Sequence, residues 1–114
     1  MVKLNAKGNK SINDVSWMTS LTHLNASGLC GINQKGIQNL RLVKLKINSN
    51  YCIEDITHIT TLKKLYAKCS KKIGDDGLNG LSLTYLDVSD CHQIKKFTQM
   101  TTLTYLNISS VVIK

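Results

Sequence analysis

Proline is absent from all 114 residues, and arginine occurs once, as Arg41. No linker or low-complexity segment breaks the chain. No stretch of eighteen apolar residues is present, so no membrane-spanning helix is expected. The opening MVKLNAKGNK has no apolar core of the kind a secretory signal carries, so none is expected. The four cysteines, Cys30, Cys52, Cys69 and Cys91, never form C-x-x-C, which excludes zinc-knuckle and redox motifs of that spacing. Sequons stand at Asn9, Asn25 and Asn107. Reduced cysteines with unmodified asparagines are the simpler reading, which makes an intracellular, cytoplasmic protein the expectation.

What is present is cationic: the formal net charge is +8. That charge admits an acidic partner: nucleic acid, an anionic membrane surface or an acidic protein. The scarcity of arginine weighs against nucleic acid, because arginine makes the bidentate base and phosphate contacts. A hydrophobic fraction of 42% is ordinary for a folded chain, and the length predicts one domain spanning residues 1–114.

The organising signal is a repeat. Leu4, Leu24, Leu45, Leu65, Leu86 and Leu106 recur at alternating steps of 20 and 21 residues. With each leucine as position zero, position −3 holds Met1, Leu21, Leu42, Leu62, Leu83 and Leu103. Position +2 holds Ala6, Ala26, Ile47, Ala67, Val88 and Ile108. Position +8 holds Ile12, Ile32, Ile53, Ile73 and Ile94. Alternation from −1 to +3 predicts half-buried strands near 3–7, 23–27, 44–48, 64–68, 85–89 and 105–109. Strands of one direction recurring this closely predict a parallel sheet with short returns.

Two kinds of return alternate, so the deeper unit is a pair of 41 residues. The 20-residue units carry apolar residues every third position: Val15, Met18, Leu21; Ile56, Ile59, Leu62; Phe97, Met100, Leu103. That period predicts 3₁₀ turns. In the 21-residue units Gly36 and Gly77 occupy one place, which predicts a turn with positive φ there.

The pattern L-x-x-L-x-V-x-x-C-x-x-I of residues 83–94 resembles the cysteine-containing class of leucine-rich repeats, and IEDITHITTLKKL is similar to the short internalin type. The resemblance covers the whole chain. It departs from the family in repeat length and at position +5, which reads Asn9, Leu29, Asn50, Ser70, Cys91, Val111. It implies an α/β-class leucine-rich-repeat solenoid: a six-stranded parallel concave sheet with short 3₁₀ or irregular convex returns. It also implies protein binding on the concave face, and no chemistry or cofactor.

The outward positions −1, +1 and +3 carry six of the fifteen cations against one acid, Asp87. Lys44, Lys46, Lys64 and Lys68 form a basic patch on two adjacent strands. Tyr66, Tyr85 and Tyr105 form a diagonal row beside it, and tyrosine is enriched in binding hot spots. A protein partner is therefore expected on this face, with nucleic acid tracking the lysines as the alternative. Catalysis is not expected, because His23, His58 and His92 fall in three different columns. Cys91 occupies the +5 turn column, where its thiol would donate to a neighbouring turn and where Asn9 and Asn50 would use amides. Cys30, Cys52 and Cys69 receive no role. The repeat at the C-terminus has no capping helix in sequence. Either the chain is a fragment of a longer array, or Val111, Val112 and Ile113 pack back on the end, or residues 104–110 pair with a second copy to give a homodimer.

Overall fold

A computed structural model describes residues 2–96 and 100–108. Six parallel strands stand in sequence order in one sheet: β1 (Val2–Asn5), β2 (Leu21–Asn25), β3 (Lys44–Lys46), β4 (Lys64–Tyr66), β5 (Tyr85–Asp87) and β6 (Tyr105–Asn107). The zero-position leucines lie in register, Leu24 beside Leu45, Leu45 beside Leu65, and Leu65 beside Leu86. The molecule is a parallel β-solenoid with almost no helix. Each turn of chain places one strand beside the last, so the repeat period becomes a stack.

Strands β3–β6 are three residues each, shorter than the five that the alternation predicts, but the ladder continues beyond them. The +2 amide of each repeat donates to the +1 carbonyl of the next, as in Ala6 to Asn25 (2.8 Å) and Ala67 to Asp87 (2.7 Å). The +4 amide then reaches the next +3 carbonyl, as in Gly28 to Asn48 (2.7 Å) and Cys69 to Ser89 (2.9 Å). Each of the first five repeats leaves the sheet through a left-handed residue at +4: Gly8, Gly28, Ser49, Cys69 and Asp90 have φ of 69°, 74°, 57°, 57° and 60°. In four of the five, the +5 amide donates back to the +2 carbonyl, closing a turn whose third residue has positive φ, as type II turns require.

The core is built from the columns that the sequence repeats. Leu21, Leu42, Leu62 and Leu83 are buried at −3, and Leu24, Leu45, Leu65 and Leu86 at zero. Ile32, Ile53, Ile73 and Ile94 at +8 are wholly buried. No single turn of the solenoid could bury these groups alone; neighbouring turns supply the other half of each contact.

The returns differ from expectation in two ways. The 3₁₀ turns, Lys35–Ile37 and Asp75–Leu78, lie in the 21-residue units. The 20-residue units instead chain separate three-residue turns, Met18 to Val15 (2.9 Å) then Leu21 to Met18 (3.0 Å), repeated as Ile59 to Ile56 (3.0 Å) and Leu62 to Ile59 (3.1 Å). Their apolar period of three is thus real but arises from linked turns. Gly36 and Gly77 do not have positive φ; that conformation falls three residues later, at Asn39 (66°) and Gly80 (80°). Glycine is needed at 36 and 77 because a Cβ would drive into the carbonyl oxygens of Asn13 and Glu54 on the preceding turn. The close approach lets the amide of Val15 donate to the Gly36 carbonyl (3.0 Å), and that of Ile56 to Gly77 (3.1 Å).

The 41-residue unit holds at the level of individual bonds. The Gln34 amide oxygen accepts from Glu54 and Asp55 N–H (3.1 and 3.0 Å); the Asp75 carboxylate accepts from Lys95 and Lys96 N–H (2.9 and 3.0 Å). Thr61 Oγ1 donates to the Leu42 carbonyl (2.7 Å), and Thr102 Oγ1 to Leu83 (2.6 Å). Phe97, Ser109 and the expected Val111–Ile113 packing lie outside the described residues. So do residues 109 and 110 of the expected pairing edge. Among the described residues no helix is long and apolar enough to cross a membrane.

Candidate functional site

The outer face of the sheet collects the residues that the alternation points outward. Lys44 lies beside Lys64, Lys46 beside Tyr66, Lys64 beside Tyr85, Tyr66 beside Asp87, and Tyr85 beside Tyr105. Lys44, Lys46, Lys64, Tyr66, Tyr85, Asp87 and Tyr105 thus share one surface across β3–β6, with Lys68 exposed just beyond the end of β4.

The tyrosines do more than line up. Tyr66 and Tyr85 have ring centroids 4.5 Å apart at 35°, and Tyr85 and Tyr105 are stacked at 4.3 Å and 3°. Tyr85 therefore has a ring on each side. The outer ring of Tyr66 carries the ammonium groups of Lys44 and Lys46, 5.3 and 5.1 Å from its centroid. Cation–π contact and ring stacking fix five side chains into one array. Burial between its neighbours, with the Tyr66 and Tyr105 hydroxyls as hydrogen-bond partners, holds the Tyr85 phenol well above the ordinary tyrosine range. Tyr105, the last of the row, is 45% exposed. The two lysine–ring contacts have no signature in the sequence beyond the +1 position of Tyr66 next to Lys46.

Asp87 is partly committed to structure. Its Oδ1 accepts the Ser89 N–H (3.0 Å) and hydroxyl (2.7 Å). The acids of the returns behave alike. Asp14 and Asp55 accept from Ser16 and Thr57, whose hydroxyls first, then backbone amides, hold both carboxyls below the ordinary range. Among the described residues no group of three or more His, Cys, Asp or Glu is placed to hold a metal ion.

A groove of about 170 Å³ opens on the same face, at β1–β3, lined by Lys3, Asn5, His23, Asn25, Lys44 and Lys46. The sequence reading left it out. Its signal was there: Lys3, His23 and Lys44 occupy position −1 in three successive repeats. The histidines stay apart. His23 shares a hydrogen bond with the Thr22 hydroxyl (2.9 Å), and His58 Nε2 lies 3.3 Å from the Ile37 carbonyl.

Beneath the sheet edge, the turn column works as expected at two positions. Asn50 Nδ2 donates to the Ala26 and Ile32 carbonyls (2.8 and 3.2 Å), and its Oδ1 accepts from Cys52 N–H (2.8 Å). One 41-residue unit later, Cys91 Sγ donates to the Ala67 carbonyl (2.8 Å). Asn9 differs: it is exposed, and its Oδ1 accepts from Ser11 N–H (2.9 Å). Cys30, which received no role, is buried and donates to Ala26 (3.2 Å) where the +5 residue Leu29 turns outward. Burial raises the Cys91 thiol to about 11 and also raises Cys30. Exposed Cys52 is therefore expected to react first with a thiol reagent, with Cys30 and Cys91 labelled only on unfolding. Mass spectrometry of partially labelled protein checks the order, and early labelling at Cys91 would contradict its placement.

Compared with known proteins, the chain matches no family model, no curated protein and no solved structure.

Proposed function

We propose that the chain is a non-enzymatic protein-interaction module of the leucine-rich-repeat type, binding a partner on the outer face of its sheet. The observation that carries this is the locked array of Tyr66, Tyr85 and Tyr105 with Lys44 and Lys46 on its end ring. Side chains already fixed by one another lose little rotamer freedom when a partner docks. Aromatic anchors, tyrosine among them, are enriched at interface centres, with charged residues at the rim. Lys64, Lys68 and Asp87 surround the array and would set the register of an acidic partner.

The repeat type is supported by the leucine and isoleucine columns and by the Asn50 and Cys91 turn bonds. The buried thiol of Cys91 acts as a donor only while reduced, which supports a reducing compartment. Polyanion binding through the lysines is the second reading, favoured by the groove on β1–β3. Single-stranded nucleic acid fits it poorly, because both faces of Tyr85 are covered and stacking needs open ring faces.

Changing Lys44 and Lys64 together to Glu is expected to abolish capture of the native partner while leaving the fold intact, since neither side chain enters the core. Pull-down with wild type and variant, with circular dichroism as the fold control, checks it. Undiminished capture by the variant would sink the reading. Salt titration of the captured complex separates the two readings: phosphate contacts lose affinity steeply between about 50 and 200 mM salt.

A further inference from the structure

We propose that the groove across β1–β3 is a subsite for a phosphomonoester on a partner protein, a phosphorylated side chain held beside the tyrosine array. The inference rests on the reading of this face as a binding surface and specifies what one end of it recognises.

The groove presents donors and no acid. Lys3, Lys44 and Lys46 are among the residues that line it, and the last two reach over the adjacent Tyr66 ring with their ammonium groups. The amide oxygens of Asn5 and Asn25 are occupied within the protein, by Lys7 N–H (3.1 Å) and Ser27 N–H (3.1 Å). Each of these asparagines is left with its NH₂ group to offer a ligand. The Thr22 hydroxyl donates to the Val2 carbonyl, so His23 Nδ1 carries the proton shared with Thr22, and Nε2 becomes a donor only when a bound anion draws a second proton onto the ring. Lysine and asparagine donors with no acid among them are matched to an anion with several acceptor oxygens. A carboxylate carries one charge; a phosphomonoester carries about 1.5 to 2 and three terminal oxygens.

The field in the groove is uncompensated. Burial first, then Lys3, Lys44 and Lys64 on the strands around it, push the His23 imidazole below its ordinary range. A bound dianion would reverse that, so His23 reports occupancy. Size and neighbours point to a phosphate carried on protein. The groove is a single pocket, not a track along a strand. Because Lys44 and Lys46 both line the groove and contact Tyr66, the two sites adjoin, and one segment can place its phosphate in the groove and lay its flanking residues along the tyrosines.

The test is NMR titration of the full chain with N-acetyl-phosphoserine amide, N-acetyl-aspartate amide, inorganic phosphate and a thymidine oligonucleotide. Phosphoserine amide should shift the Asn5 and Asn25 side-chain amides and raise the His23 pKa, and should bind more tightly than aspartate amide. Lys44→Gln and Lys3→Gln should each weaken it by about tenfold. Lys35→Gln, on a return, should leave it unchanged. Inorganic phosphate at the same resonances with comparable affinity supports the phosphoryl site. Equal binding of aspartate amide, no shift at Asn5, Asn25 or His23, or oligonucleotide binding that outcompetes phosphoserine there, each overturns it. If the Lys44/Lys64 reversal still abolishes partner capture while these titrations are silent, the subsite fails and the binding face stands.

Discussion

Gly77→Ala is expected to destabilise the protein by about 3 kcal/mol or more, whereas Gly80→Ala should cost only about 1 kcal/mol. The two glycines sit three residues apart in one return and are needed for different reasons. At Gly77 a Cβ meets the Glu54 carbonyl on the preceding turn, and nothing there can yield except the backbone itself. Relieving that clash separates two turns of the solenoid and breaks the bond from Ile56 N–H to the Gly77 carbonyl. At Gly80 nothing lies within 4 Å of a Cβ, so the cost is only that of a left-handed alanine. Urea unfolding followed by circular dichroism measures both. Equal losses would mean that close approach is not what fixes glycine at 77. Gly36→Ala should follow Gly77→Ala, because Asn13 stands to Gly36 as Glu54 stands to Gly77.

Asn50→Ala should cost on the order of 3 kcal/mol. The side chain is buried, joins two turns through hydrogen bonds to Ala26 and Ile32, and braces its own turn through a third from Cys52 N–H. Its removal strands the Ile32 carbonyl and the Cys52 amide; the Ala26 carbonyl keeps the Cys30 thiol. Asn50→Cys should recover little of the loss, since the bond that Cys91 makes to Ala67 corresponds to the Ala26 carbonyl, which Cys30 already reaches, and not to the Ile32 and Cys52 bonds. Comparing the unfolding midpoints of the two variants checks the argument. A cysteine that restores wild-type stability would show that the Ile32 and Cys52 bonds do not carry the loss.

The sequence made the core and the pairing legible because both depend on apolar residues at fixed spacing. Leu45, Leu65 and Leu86 had to be neighbours once the strands were parallel, and the two kinds of return followed from the alternating steps. The left-handed +4 position was not legible. Gly8, Gly28, Ser49, Cys69 and Asp90 share a conformation but no side-chain type, so no column marks it. Gly36 and Gly77 did form a column, and it was read for the wrong property. A glycine announces a missing Cβ, but only the neighbouring chain shows whether torsion or space demands it. On the outer face the tyrosine row was legible and its closure was not. Stacking at 4.3 Å, with two lysines over one ring, depends on rotamers that four strands choose together. The groove escaped for a similar reason: Asn5 and Asn25 become donors only because their oxygens are used in the turn that follows.

The two-step character of the stack bears on how such a chain can lengthen. A gene duplication that inserts 41 residues sets each glycine return on a threonine-rich one, and the bonds of Gln34, Asp75, Thr61 and Thr102 recur unbroken. A duplication of 20 or 21 residues sets two returns of one kind together, and the bond between Val15 and Gly36 has no counterpart at that junction. Lengthening by pairs of turns would therefore keep the packing between turns, and lengthening by one turn would break it at the junction.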